Sequence, residues 1–157
     1  MIIIGLTGTL GAGKGTIVDY LVREKGFLHF SVRSFLLQEI RRRGLPDNRD
    51  SMFHLANELR SLHGPSYVTD QLYLHAEKAG QNCVIESIRT TGEVESLRKK
   101  PGFILLAVDA DPRIRFERIL QRNSETDRID YTTFLNNESR EMAARDPSQP
   151  NIRACIT

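Results

Sequence analysis

The stretch that decides the fold is "GLTGTLGAGKGT", Gly5 to Thr16. It holds five glycines, three threonines and one lysine, and it follows directly on the apolar "MIII". The β-branched run from Ile2 to Leu6 predicts a fully buried strand. Beyond the glycines, Ile17, Val18, Tyr20, Leu21 and Val22 suit a helix that ends near Gly26. A Gly8-x4-Gly13-Lys14 string between a strand and a helix is the context of a phosphate-binding P-loop. Glycines let backbone N–H groups curl around phosphate oxygens where side chains would collide. The N-terminus of the following helix adds partial positive charge. Gly8, Gly11, Ala12, Gly13, Lys14, Gly15 and Thr16 are therefore the expected phosphate cradle, with Lys14 reaching the β- and γ-phosphates of a nucleotide.

Further strands are expected at Phe27 to Ser31, Asn82 to Glu86 and Phe103 to Asp109. The last is the most apolar stretch of the chain and reads as a central buried strand. The helix in "RSFLLQEIRRRGLP" stops at Gly44 and Pro46. Asp50 is the expected N-cap of a helix carrying Met52, Leu55, Ala56, Leu59 and Leu62. Another helix runs from about Ser66 to Ala79. Thr90 and Glu93 have the spacing of a capping box. Asp111-Pro112 opens a helix that carries Arg115, Arg118 and Arg122, and a further helix covers Tyr131 to Ala144. Ile152, Ala154 and Ile156 alternate and are expected as a last strand. Strands alternating with helices argue for α/β architecture with a parallel sheet, whose ligands bind outside the carboxyl ends of the strands.

The 157 residues suit one domain, and 39% hydrophobic with 27% charged residues is ordinary globular composition. With a net charge of +2 and locally bunched arginines, the partners expected are phosphate-sized small molecules rather than long nucleic acid. The two cysteines suggest no disulfide framework or zinc site, which fits a reducing, cytoplasmic setting. No apolar run is long enough for a membrane span.

"GAGKGT" resembles the P-loop of adenylate kinase and other nucleoside monophosphate kinases, which carry G-x-G-K-G-T. Gly15 stands where the general motif places a Mg²⁺-binding Ser or Thr, and Thr16 comes one position later. "VIESIR" resembles the end of that family's third strand, an acidic residue (Glu86) followed closely by an arginine (Arg89). "IESIRTTGEVESLRKK" and "NRDSMFHLANELR" look like the deoxynucleoside monophosphate kinases, and this implies Arg49 and Arg60 at the acceptor phosphate. "RFERILQR" resembles the start of the adenylate kinase lid, with Arg118 and Arg122 against ATP.

The resemblance implies a P-loop NTPase fold: three α/β/α layers and a parallel sheet of order 2-3-1-4-5, the last strand short or missing. It implies a single kinase domain over 1–157, an acceptor-binding insertion at about 33–80 and a short lid at 122–130. The implied activity is transfer of the γ-phosphate of ATP, with Mg²⁺, to a small phosphorylated acceptor such as a nucleoside or deoxynucleoside monophosphate. Two departures point away from AMP. Leu37 occupies the place of a phosphate-binding arginine, for which Arg33 would substitute, and Glu93 falls near an AMP-reading glutamine. A dephospho-coenzyme A kinase with a hydroxyl acceptor, and a nucleotide-binding regulatory domain with little turnover, are the alternatives.

Phosphoryl transfer demands positioning and charge neutralisation more than covalent chemistry. Lys14, Arg89, Arg118 and Arg122 are the cations expected around the transferred group. Arg33, Arg49, Arg60, Glu86, Arg89 and Arg140 are those expected toward the acceptor. Thr16 and Glu86, the latter through water, are the expected Mg²⁺ contacts. Arg118 and Arg122 fit a solvated helix face equally well. A carboxylate ending an apolar strand needs a partner, and Arg89 is the natural one for Glu86. The four histidines, His29, His54, His63 and His75, show no ligand spacing.

Overall fold

The computed structural model describes residues 1–122, 129–146 and 149–157. Its strands β1 (Ile3–Gly8), β2 (Leu28–Ser31), β3 (Cys83–Glu86) and β4 (Phe103–Val108) form an all-parallel sheet in the order β2-β3-β1-β4. The helices are α1 (Lys14–Lys25), α2 (Val32–Arg42), α3 (Arg49–His63), α4 (Tyr67–Ala79), α5 (Thr91–Arg98), α6 (Pro112–Arg122), α7 (Tyr131–Met142) and α8 (Ile152–Ile156). The architecture is the three-layer α/β/α arrangement expected.

Strand alternation divides the core. Ile3, Cys83 and Ile85 face one side, where they pack with Leu36 and Ile40 of α2, Leu55 and Leu59 of α3, Val68, Leu72 and Ala76 of α4, Val94 and Leu97 of α5, and Cys155 of α8. Leu6 and Val84 face the other side and meet Val18 of α1. Each wholly buried aliphatic side chain contributes about 1.5–3 kcal/mol, so the first face carries most of the stability. The region expected at 33–80 is three helices, α2 to α4, seated on that face.

Three local expectations are corrected. The N-cap of α3 is Asn48, whose side chain accepts from Ser51 N–H; Asp50 falls inside the first turn, where its charge suits the helix dipole. The expected last strand is the helix α8. Asn151 caps it by accepting from Ala154 N–H, and the buried Ile152 and Cys155 lie three apart, a helical spacing. β4 is not central: it pairs with β1 alone among the described strands, and its residues alternate in exposure. Ile104 and Leu106, in register with Ile4 and Leu6, lie on the α1 side of the sheet, but α1 crosses β1, β2 and β3, so both stay exposed. The expected capping box forms as read: Thr90 accepts from Glu93 N–H and Glu93 from Thr90 N–H. The expected lid lies, from 123 to 128, outside the described residues.

Candidate active site

The loop between β1 and α1 is shaped by positions where a side chain has no room. A Cβ on Gly8, at φ +141°, would lie 2.0 Å from the carbonyl oxygen of Val108, and one on Gly11 would lie 2.7 Å from that of Arg115. The loop therefore presses against the end of β4 and the flank of α6. Its carbonyls turn toward cations. Lys14 Nζ donates to Gly8 O at 2.9 Å and Thr9 O at 2.6 Å. Arg115 donates to Leu10 O at 3.2 Å, and Arg118 to Ala12 O at 3.3 Å. Ala12 N–H is bonded to Thr9 O at 3.3 Å, while Gly13 caps α1 with no side chain to accept from the helix's first N–H groups, a helix start of the kind that receives an anion. Thr16 lies exposed in the first turn of α1.

Lys14 is pushed down to about 8, first by burial and then by the charge of Arg89; Glu141 and Glu86 oppose this. An ammonium held among backbone carbonyls beside other cations is short of negative charge, the condition that a phosphate corrects.

β3 supplies the facing wall. Glu86 ends the strand half-buried, and Ser87 follows at φ 71°, a left-handed conformation that costs a non-glycine residue of order 1 kcal/mol. The expected pairing of Glu86 with Arg89 does not form. Glu86 Oε1 lies 3.4 Å from His29 Nε2 of β2, because in-register pairing sets β2 and β3 side by side. Arg89 turns to Glu141 of α7, with Nη1 3.4 Å from Oε1. Gly8, Leu10, Lys14, Ser87, Ile88, Arg89, Glu141 and Ile152 enclose a narrow cleft at the mouth of the loop.

Of the other expected residues, Arg60 is brought inward. Its side chain is 10% exposed and its Nη2 lies 3.4 Å from Glu93 Oε1, while its Nε is buried without a hydrogen-bond partner. Glu93, wholly buried, also accepts from the backbone N–H groups of Arg89 and Thr90, so it is committed to holding the start of α5. Arg33 and Arg49 are exposed at the starts of α2 and α3, Arg122 closes α6 on the surface, and Arg140 is exposed on α7.

Sequence reasoning missed Asp109, Arg115 and Glu138. Asp109, just past β4, accepts from Thr9 Oγ1 at 2.6 Å and from Ala110 N–H. Arg115 is 2% exposed and joins the loop to α7 through Glu138 Oε1 at 2.6 Å. Nothing in spacing distinguishes Arg115 from Arg118 one turn later. The one available signal was its position four residues past the N-cap Asp111, on the apolar stripe that includes Ile119. For a hard cation the donors near the loop are oxygens: Thr16, Glu86 and Asp109. No three His, Cys, Asp or Glu among the described residues gather into a metal cage. Mg²⁺ needs none, since it binds through one or two carboxylates, phosphate oxygens and waters, so this donor set fits it.

Residues 4–144 match the family model described as AAA domain. A UPF0200 protein of Methanococcus vannielii is 32% identical over 145 residues, covering 90% of this chain and 78% of the relative. One from Methanococcus maripaludis is 29% identical over 145 residues, with 90% and 79% covered. Among solved structures, TT1252 from Thermus thermophilus has a TM-score of 0.59 at 21% identity, over 88% of this chain and 78% of that one. A sugar kinase from a Janibacter species has a TM-score of 0.53 at 17% identity, over 96% and 82%. At such identities the likeness is one of fold.

Proposed function

We propose, for a chain that belongs to the UPF0200 family and is an AAA domain with the P-loop kinase fold, that it transfers the γ-phosphate of ATP to a small phosphorylated acceptor. A nucleoside or deoxynucleoside monophosphate is the favoured acceptor. The observation that carries this reading is the loop itself: carbonyls of Gly8, Thr9, Leu10 and Ala12 are bound to cationic side chains, and Lys14 sits among them short of an anion.

In this reading the backbone N–H groups from Gly11 to Thr16 hold the ATP phosphates and Lys14 leaves Gly8 O and Thr9 O for the β- and γ-oxygens. Arg118 stands over Gly13 with Nη1 3.9 Å from where a Cβ would be, close enough to turn from Ala12 O to a phosphate. Thr16, and Glu86 through water, would be the oxygen donors that hold Mg²⁺, which would supply charge neutralisation for the ATP phosphates. Arg89, beside Lys14 in charge and in the same cleft, neutralises the group in flight. On the acceptor side, Arg60 keeps a buried N–H without a partner, a cost of about 1–3 kcal/mol that an acceptor oxygen would remove once the helices part. Arg33, Arg49 and Arg140 provide exposed positive charge around it.

A hydroxyl acceptor is the second reading. It is favoured by one observation: Arg60 and Arg89 already face Glu93 and Glu141, so less free positive charge awaits an acceptor phosphate. The test is ATP-dependent transfer to a panel of nucleoside and deoxynucleoside monophosphates, dephospho-coenzyme A and simple sugars. Turnover confined to a monophosphate supports the first reading. Turnover confined to hydroxyl acceptors replaces it with the second, and ATP binding with no turnover on any acceptor favours a regulatory domain.

A further inference from the structure

Helix α7 brings two carboxylates, three residues apart, to the phosphate-binding loop, and they are held very differently. Glu138 is nearly buried and lies 2.6 Å from Arg115, which itself grips the loop at Leu10 O. One turn earlier Phe134, wholly buried, packs against Phe116 and Tyr131 with the Arg115 guanidinium 5.5 Å from its ring. Packing and a buried ion pair anchor this half of the helix.

Glu141 has no such anchorage. Its side chain is 38% exposed, its partner Arg89 is 45% exposed, and they meet only at 3.4 Å. A pair of this kind contributes about 0–1 kcal/mol and opens easily. Yet its position is at the mouth of the loop, in the same cleft as Gly8 and Lys14, where the free volume of about 20 Å³ is room for about one water molecule. A phosphate cannot enter that space as it stands. Glu141 thus places a single negative charge beside Lys14 and Arg89, the two cations assigned above to the transferred phosphate.

We propose that Glu141 is a removable internal anion: it closes the phosphate site in the ligand-free chain, competes with polyphosphate for Lys14 and Arg89, and is expelled on binding while Glu138 keeps α7 attached. A polyphosphate wins because it brings more charge and several acceptor oxygens to the same cations and to the loop N–H groups. The inference rests on the phosphate-site reading of the loop.

The experiment is calorimetric titration of inorganic tripolyphosphate into the wild-type chain, Glu141→Gln and Glu141→Ala, each checked by thermal melting. Both variants are expected to bind about three- to tenfold more tightly, because the closed population no longer subtracts from affinity, with melting temperatures near that of wild type. Binding in the variants but not in wild type supports the proposal in its strongest form. Equal or weaker binding by the variants, with wild type binding well, overturns it and leaves the phosphate site standing. No binding by any of the three overturns the phosphate-site reading and this proposal together.

Discussion

The two walls of the cleft are built by different means. The loop wall is backbone: peptide groups turned by glycines, with Gly8 fitted against Val108 and Gly11 against Arg115. The facing wall is made of and supported by side chains in pairs whose partners are far apart in sequence: 52 residues for Arg89 with Glu141 in the cleft itself, and 33 for Arg60 with Glu93, which backs the wall by accepting from Arg89 N–H. A backbone site depends on where glycines fall along a few consecutive residues. A side-chain site depends on which helices meet, and alternative pairings cost little until the fold selects one. The loop wall should therefore tolerate no added atoms at its contact points. The facing wall should respond to charge and be partly repaired by removing both members of a pair.

The largest effect expected is on the facing wall's most buried pair. Glu93→Ala leaves the Arg60 charge buried and removes the capping box of α5, with an expected loss of about 3–5 kcal/mol of stability. The double variant Arg60→Met, Glu93→Met should recover, in denaturant melts, the part of that loss due to the stranded Arg60 charge but not the part due to the lost cap of α5. If it recovers none, the pair is not what holds the wall. On the loop wall, Gly8→Ala drives a methyl group into Val108 O and should cost about 3 kcal/mol or more. Gly15→Ala, where nothing lies within 4 Å, should leave the melt unchanged or slightly raised. Equal costs at Gly8 and Gly15 would erase the contrast between constrained and open loop positions.

Arg89→Met tests function rather than stability, since its ion pair is exposed. Loss of a phosphate contact made in the transition state should lower kcat/KM for the acceptor about a hundredfold, with kcat falling and ATP binding retained. Loss of ATP binding with acceptor kinetics intact would move Arg89 to the other substrate. The smallest effect is a proton count. Lys14, lowered to about 8, is about half neutral at pH 8, and a bound polyphosphate favours the charged form. Binding at pH 8 should thus take up about half a proton, falling toward zero near pH 6. Calorimetry in buffers of different ionisation enthalpy reads this directly, and uptake that persists in Lys14→Met would assign the proton elsewhere. In the ligand-free chain the sign is the opposite of a salt bridge: Lys14 opposes folding while charged, so its contribution improves as pH rises from about 8 toward 10.5.

The same division explains what was legible in the sequence. The strand–loop–helix unit, the capping box at Thr90 and Glu93, and the helix stops at Gly26 and Gly80 rest on local rules and appear where expected. Glu86 and Arg89 were legible as residues at a strand end, but not their partners, because His29 and Glu141 reach them only through sheet register and the seating of α7. The edge position of β4 was hidden by its composition. An apolar run reads as buried on both faces, whereas the structure covers Phe103 and Leu105 only in part on one face and leaves Ile104 and Leu106 exposed on the other. The run from Ile152 to Ile156 is short enough to fit either period, and the Asn151 cap, a local signal, decides for helix. Arg115 shows the limit most clearly. Its burial follows from Phe134 and Glu138, two residues on a helix that the local sequence does not connect to it.

The most direct measurement is titration of ATP with Mg²⁺ into the wild-type chain and into Lys14→Ala, with melting and phosphoryl transfer followed on the same samples. Wild type should bind saturably, the variant should bind more weakly by about a hundredfold or more with no detectable transfer, and the two melts should be closely similar. Equal ATP binding and turnover by the two proteins would contradict this, because the loop would then not be the phosphate site.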